Sequence, residues 1–328
     1  MQQFDLLGIG NSVVDVLYKI DEEFLKINKL EKGVMTLIDE NTAEKFYSSL
    51  KQGLEVAGGS VANSTVGFAL LSGKPAFIGK IKNDNLGKSF SKSLSDNNVF
   101  YDTQPILEGP GTARCFIFVT PDAQRTMNTY IGACSLLNPE DIDEKLVQNS
   151  KITYLEGYCW EEQLAKESLI KAAEIAHKFG NKVSLTLSDP FCVERHRNEF
   201  KDLIKKYIDI LFANEMEIKK LYEINNFDES AKEISSITEI AALTRSEKGA
   251  KIYNDKEVIE IKPKIFGKVI DTTGAGDLFA AGFLYGLSKK FSILESGNIA
   301  SIAAGEIISH FGAKPETNLK NLISKELK

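Results

Sequence analysis

From residue 153 onward the chain alternates short apolar segments with longer amphipathic ones, and this alternation constrains the fold more than any other feature. Segments 153–156, 183–187, 207–213 and 240–244 read as strands apolar on both faces. Between them, 163–179 sets Leu169, Ala172, Ala173, Ala176 and Phe179 on one helical face and closes at Gly180. A second helix begins at 215–222. Strands buried on both faces must be covered by helices on both sides. The pattern therefore predicts an α/β fold around a mostly parallel sheet. Segments 251–253 and 258–261 flank Asn254-Asp255 as a hairpin, and 275–288 and 294–309 read as helices. The N-terminal third is less regular. Strands at 4–10, 11–20, 34–38 and 75–81 accompany a helix at 21–30 capped by Asp21 and a small-residue helix at 61–71. The β-rich stretches 12–38 and 112–130 break the alternation and are expected to form a small separate sheet.

A chain of 328 residues suggests about two domains. Its 40 basic and 46 acidic residues give a net charge of −6, which excludes a protein whose main task is gripping nucleic acid. The cysteines Cys115, Cys134, Cys159 and Cys192 are scattered and the histidines few, so a zinc site is not expected. Met1 to Asp5 lacks the basic and apolar regions of a signal peptide, and no apolar run reaches membrane-spanning length. A cytoplasmic protein with no membrane association is expected.

Two nucleotide motifs fail on spacing. Gly87-Lys88 has Lys82, and Gly79-Lys80 has Lys74, where a P-loop needs glycine. Gly8-Ile9-Gly10 follows a strand, but Val13 stands where a dinucleotide fingerprint needs its third glycine. The strongest signal is Asp271-Thr272-Thr273-Gly274-Ala275-Gly276-Asp277 ahead of an apolar helix. Small residues at a helix start leave backbone N–H groups free to hold an anion. An aspartate within that cradle fits a base that takes a proton from a hydroxyl attacking a phosphate; equally, Thr272, Thr273 and Asp277 suit simple capping. Gly58-Gly59 before a helix permits a ligand to approach the backbone, with Asn63 offering donor and acceptor, or forms only a tight turn. Asn214 and Glu217, three residues apart after a strand, suit a hydrated Mg²⁺ or a capping box. Asp15 lies beyond Gly10 at a predicted strand end and could accept hydrogen bonds from a cis-diol, or be an exposed acid.

In this order, Gly10-Asn11…Asp15, Gly58-Gly59…Asn63, Asn214…Glu217, Asp271 to Asp277 and Gly312-Ala313 resemble the PfkB, or ribokinase-like, family of carbohydrate and nucleoside kinases over nearly the whole chain. The resemblance implies a three-layer α/β sandwich with a small β lid: core 1–11, 39–111 and 131–328, lid 12–38 and 112–130. It implies transfer of the ATP γ-phosphate to a hydroxymethyl group. Asp277 would be the base and Gly274, Ala275 and Gly276 the anion hole. Asn11, Asp15, Gly58, Gly59 and Asn63 would hold the substrate, and Asn214 and Glu217 would organise Mg²⁺ through water. Thr244, Ser246 and Gly249 fall on the nucleotide turn, with Ser246 where that turn usually carries glycine, and Asn298 would reach the adenine. Members activated by monovalent cations bind K⁺ near Asp271 and Thr273.

Within the family the chain is most similar to the adenosine kinase branch. Asp21-Glu22-Glu23-Phe24-Leu25 lies in a similar lid segment, and Gln124-Arg125 resembles a lid Asn-Arg pair whose arginine points at phosphate. Arg125 read without the family is a surface charge. Phe116, Phe118, Tyr158 and Trp160 could sandwich a base or belong to the core. Met35 stands where that branch often has a polar base-binding residue. The expectation is an ATP- and Mg²⁺-dependent kinase of a nucleoside 5′-hydroxyl, adenosine leading, as monomer or homodimer. A kinase of a free sugar, a catalytically silent binding protein and a nicotinamide-dependent dehydrogenase are its rivals.

Overall fold

A computed structural model describes residues 3–50, 53–122, 124–254 and 257–327. The chain runs β1 (Phe4–Ile9), β2 (Val13–Lys19), α1 (Glu22–Ile27), β3 (Met35–Leu37), α2 (Glu40–Ser49), β4 (Leu54–Gly58), α3 (Ser60–Leu70), β5 (Pro75–Ile78), α4 (Asn85–Asp96) and β6 (Phe100–Tyr101). It continues through β7 (Ala113–Val119), β8 (Arg125–Tyr130), α5 (Glu144–Gln148), β9 (Ser150–Glu156), α6 (Gln163–Lys178), β10 (Lys182–Thr186), α7 (Pro190–Arg195), α8 (Arg197–Tyr207), β11 (Ile210–Asn214) and α9 (Glu215–Tyr222). It ends with α10 (Phe227–Ser235), β12 (Ile240–Thr244), β13 (Ala250–Asn254), β14 (Glu257–Ile261), α11 (Ala275–Ser288), α12 (Ile293–Ile307) and α13 (Leu319–Glu326).

The main sheet has the order β14-β13-β12-β11-β10-β9-β1-β5-β6. It is parallel from β12 to β6, and β12, β13 and β14 pair antiparallel. Asn254 stands opposite Glu257 at the expected hairpin; Asp255 itself lies outside the described residues, as do Met1 and Gln2 of the N-terminal segment. One face is covered by α3, α4, α11 and α12, the other by α5 to α10. Phe77, Phe90 and Phe283 are fully buried on the first face, each stabilising by roughly 1.5–3 kcal/mol over exposure. This is the three-layer α/β sandwich that the alternation predicts. The strand expected at 207–213 starts later, because Tyr207 ends α8. Helices α2, α4, α8 and α10 were not among the expected elements, although Leu86, Phe90 and Leu94 of α4 and Phe200, Leu203 and Ile204 of α8 fall at helical spacing.

A second sheet, β3-β8-β7-β2-β4, stands apart from the first. It includes Leu54–Gly58, which the sequence left with the core. In register, Asp15 lies beside Cys115 and Val56, Cys115 beside Thr129, and Met127 beside Met35. Val13, Asp15, Leu17, Cys115, Ile117, Arg125, Met127 and Met35 therefore share one face. The opposite face carries Phe116 and Phe118, packed edge-on to Phe24 and Phe46 of α1 and α2.

Successive strands leave β1 toward β5 and β6 on one side, and β9 toward β12 on the other. The strand order thus reverses between β1 and β9, the place where open α/β sheets bind ligands at their carboxyl ends. Gly10, Glu156, Asn214 and Thr244 all stand at those ends.

Candidate active site

The start of α11 faces this switch point. Gly274 takes φ +77°, a left-handed conformation that a glycine adopts without strain. Ala313 packs against it so closely that a Cβ would force a shift. The first turn leaves the amides of Gly276 and Asp277 without helical acceptors, and the space beside Gly276 is open. Asp277 is held from α3: Ser60 Oγ donates to Oδ1 at 2.7 Å and Asn63 Nδ2 donates to Oδ2 at 3.1 Å. Desolvation pushes its pKa up to about 6 against the lowering by these two donors. A carboxylate so poised is ionised at neutral pH yet basic enough to take a proton. The Gly58-Gly59 turn brings α3 here. Gly59 has φ +99° and its Cα lies against the Asn11 carbonyl.

The second sheet closes the other side. Asp15 fills the space where a side chain on Gly58 would sit. Desolvation and the Asp277 charge push its pKa up to about 7, opposed by Arg125 and Lys314. Arg125 reaches across to the α11 loop. Nη1 donates to Thr273 Oγ1 at 2.6 Å, and Nη2 pairs with Asp271. Asp271 also accepts from Thr273 N at 3.0 Å and Gly312 N at 2.9 Å. The side-chain oxygens of Asp271 and Thr273 are thus engaged with Arg125 and with backbone amides.

Behind Asp277 a cavity of about 630 Å³ is lined by Asn214, Glu217, Thr244, Ser246, Gly249, Ala275, Gly276 and Asp277. Asn214 and Glu217 form a capping box at the start of α9. Asn214 Nδ2 donates to Glu217 Oε1 at 2.6 Å, and Glu217 N donates to Asn214 Oδ1 at 2.9 Å. The capping expected as the plainer reading is present. Desolvation pushes the Glu217 pKa up to about 7, and the carboxylate still lines the cavity. Among the described residues no group of three or more His, Cys, Asp or Glu could hold a bare metal ion. One carboxylate and one amide suit a cation carried by water and phosphate oxygens.

Not every expected residue arrives. Asn298 does not line the cavity; Ser301, one turn on, does. Asn298 lies on the helix flank beside Gly297, whose face is filled by Ile261 and Ile252. Phe116 and Phe118 point away from the site, and Trp160 stacks on Phe200 at 5.6 Å. Of the expected aromatics, Tyr158 is felt by the acids here: Asp189, Glu156, Glu217 and Asp277 all raise its pKa beyond the effect of burial. Sequence reasoning missed Ser60, Glu156 and Lys314. An acid ending a buried strand at the carboxyl edge was the available signal for Glu156. For Lys314 it was the position after Gly312-Ala313.

Residues 38–319 match the pfkB family of carbohydrate kinases. A probable sugar kinase from Rhizobium etli CFN 42 is 42% identical, with TM-score 0.93 and 99% of each chain covered. Adenosine kinase from Sinorhizobium meliloti is 40% identical, with TM-score 0.92 and 99% of each chain covered. Guanosine-inosine kinase of Escherichia coli K12 is 26% identical over 227 residues, 66% of this chain, which spans only 52% of that enzyme's length. Among the described residues no helix is long and apolar enough to cross a membrane. With a matched segment covering most of the chain and the fold shared end to end, this protein belongs to the pfkB family of carbohydrate kinases.

Proposed function

We propose that the protein transfers the γ-phosphate of ATP to the 5′-hydroxymethyl group of a nucleoside, with adenosine the leading acceptor and Asp277 the general base. The observation that carries this reading is Asp277 itself, held by Ser60 and Asn63 at the open start of α11, between Asp15 and the cavity. The acceptor hydroxyl gives its proton to Asp277. Its oxygen bonds the γ-phosphorus as the bond to the leaving oxygen breaks, and ADP departs. The free amides of α11 and the Arg125 guanidinium face the charge on the group in transit. A magnesium ion carried with the triphosphate, beside Asn214 and Glu217, would neutralise phosphate charge.

A nucleoside is favoured over a free sugar by the face around Asp15. Leu17, Met127 and Met35 share the sheet face that carries Asp15 as partly exposed apolar side chains, Met35 at 40%. A pentose would use Asp15 and leave that surface wet; a ribosyl base would cover it. The second sheet then serves as the lid over the acceptor. A free-sugar kinase is the second reading, supported by the sugar kinase relative and by the absence of a polar base contact at Met35.

ADP release from Mg-ATP across nucleosides and free sugars tests the reading. Turnover with nucleosides alone is expected; turnover only with a free sugar rejects it. Asp277→Asn should still bind both ligands while kcat falls about 10²–10⁴-fold. Full activity in that variant would remove Asp277 as the base.

A further inference from the structure

Glu156 is a buried carboxylate to which the reaction above assigns no part. It ends β9 at the switch point, and its residue is 1% exposed. Oε2 accepts from the backbone N–H of Val61 at 3.0 Å and of Asn11 at 3.3 Å. These amides belong to different chain segments. Asn11 lies between β1 and β2, where the chain leaves the main sheet for the second. Val61 lies just past Gly59, where the chain returns from β4 into α3. The two segments touch, because Gly59 packs on the Asn11 carbonyl. A Cβ on Gly10 would overlap the Glu156 carboxylate, so the strand end is shaped around it.

The start of α3 explains the need. Its N-cap is Gly59, which has no side chain to bond the free amides of the first turn. Glu156 supplies that acceptor from another element, with its negative charge at the positive end of the helix. The residues flanking Val61 are Ser60 and, two on, Asn63, the two donors that hold Asp277. Holding Val61 thus fixes the turn that aims both donors at Asp277. Asn11 is tied further: its Oδ1 accepts from Cys159 Sγ at 3.6 Å, and Ser12 N donates to Cys134 Sγ at 3.1 Å. Burial of a carboxylate here is costly, and desolvation pushes its pKa up; an acceptor needed only for packing could be neutral.

We propose that Glu156 is a positioning residue: one carboxylate oxygen clamps the outgoing and returning chain segments between the two sheets and, through Ser60 and Asn63, sets the geometry of Asp277. The inference rests on the reading of Asp277 as the base. Hydrogen–deuterium exchange by mass spectrometry on the full chain, over segments 8–14 and 56–64 with 182–187 as reference, tests the clamp without any acceptor. Steady-state kinetics test its effect on the base. In Glu156→Ala, exchange should rise about tenfold in both segments and not in the reference. The value of kcat should fall about tenfold or more while KM for Mg-ATP stays put. Glu156→Gln keeps an acceptor oxygen and should fall between the wild type and Glu156→Ala; it carries the test if the alanine variant does not fold. Faster exchange in one segment only, or equally in the reference, overturns the clamp. A raised KM for the acceptor with unchanged exchange would assign Glu156 to substrate binding and also overturn it. Loosened segments with unchanged kcat would break the link to Asp277. If the wild type turns over only free sugars, the nucleoside reading fails, and the same two measurements on that sugar still decide the clamp.

Discussion

Ser246 carries a conflict between side chain and backbone. It holds φ +51° in the turn after β12, at the position where the family resemblance leads one to expect glycine. An L-residue there is strained, a β-branched one more so, yet Ser246 lines the cavity with Thr244 and Gly249. The turn keeps a glycine-like path without the glycine. Ser246→Gly should leave Tm unchanged or raised. Ser246→Val should lose about 1–2 kcal/mol, read as a lower Tm, together with a higher KM for ATP; a valine variant matching the wild type in both would show that the turn is not strained. Residues whose position depends on local order were legible: Asp277 at a helix start, Asn63 after paired glycines, Arg125 at a strand start. Residues whose role depends on a distant partner were not. Glu156 meets Asn11 and Val61 across long stretches of chain, and Asn298 lies one turn before Ser301, outside the cavity lining.

At the scale of elements, α9 shows one pair of side chains in two tasks. Asn214 and Glu217 cap the helix and also line the cavity, and substitutions separate these tasks. Asn214→Ala removes the cap and should cost about 1 kcal/mol at any pH near neutrality. Glu217→Gln should do the opposite to stability. The folded protein raises the Glu217 pKa from 4.5 to about 7, so the native state is penalised once pH exceeds the unfolded pKa, fully so above the folded one. Removing the charge should therefore raise the apo Tm at pH 8 and change it little at pH 4.5, while more Mg²⁺ is needed for half-maximal rate. A Tm lowered equally at both pH values would make the capping box the whole role of Glu217. The strands around this helix were readable because parallel strands are apolar on both faces. Helix α4 went unexpected because glycine and serines of low helix propensity flank Leu86, Phe90 and Leu94, although their i, i+4, i+8 spacing behind Asp84 was the signal for it; burial rather than propensity makes it a helix. Strand β4 was hidden for the converse reason, as an edge strand with Leu54 and Glu55 exposed offers no alternation to read.

For the whole molecule, the net charge of −6 hides where the acids lie. Asp15, Glu156, Glu217 and Asp277 come from β2, β9, α9 and the start of α11, and all meet around the cleft. Their pKa values rise from the ordinary carboxylate range to about 7, 7, 7 and 6. Burial is the first cause for each, and the Asp277 charge adds to the rise of Asp15 and Glu156. The native state therefore binds more protons than the unfolded chain between the unfolded values near 4 and the folded values near 7. By linkage, stability must fall as pH rises through that window. The acids with lowered pKa work in the opposite sense but at lower pH; Asp122, at about 2 beside Lys32, has finished its contribution before the window opens. A one-unit rise corresponds to about 1.4 kcal/mol, so the apo protein should melt at least about 3 °C lower at pH 8 than at pH 5. On the proposed reading, Mg-ATP and the acceptor bring cationic and hydrogen-bonding partners to Asp15, Glu217 and Asp277. Their addition should raise Tm more at pH 8 than at pH 5, because ligands that bind the ionised site also favour its ionisation. Thermal scans of apo and liganded protein across pH 4.5–8.5 read both effects. An apo Tm that climbs or stays level from pH 5 to pH 8 would mean that the four carboxylates are not desolvated together, and the clustered charge that makes the cleft reactive would have to be abandoned with it.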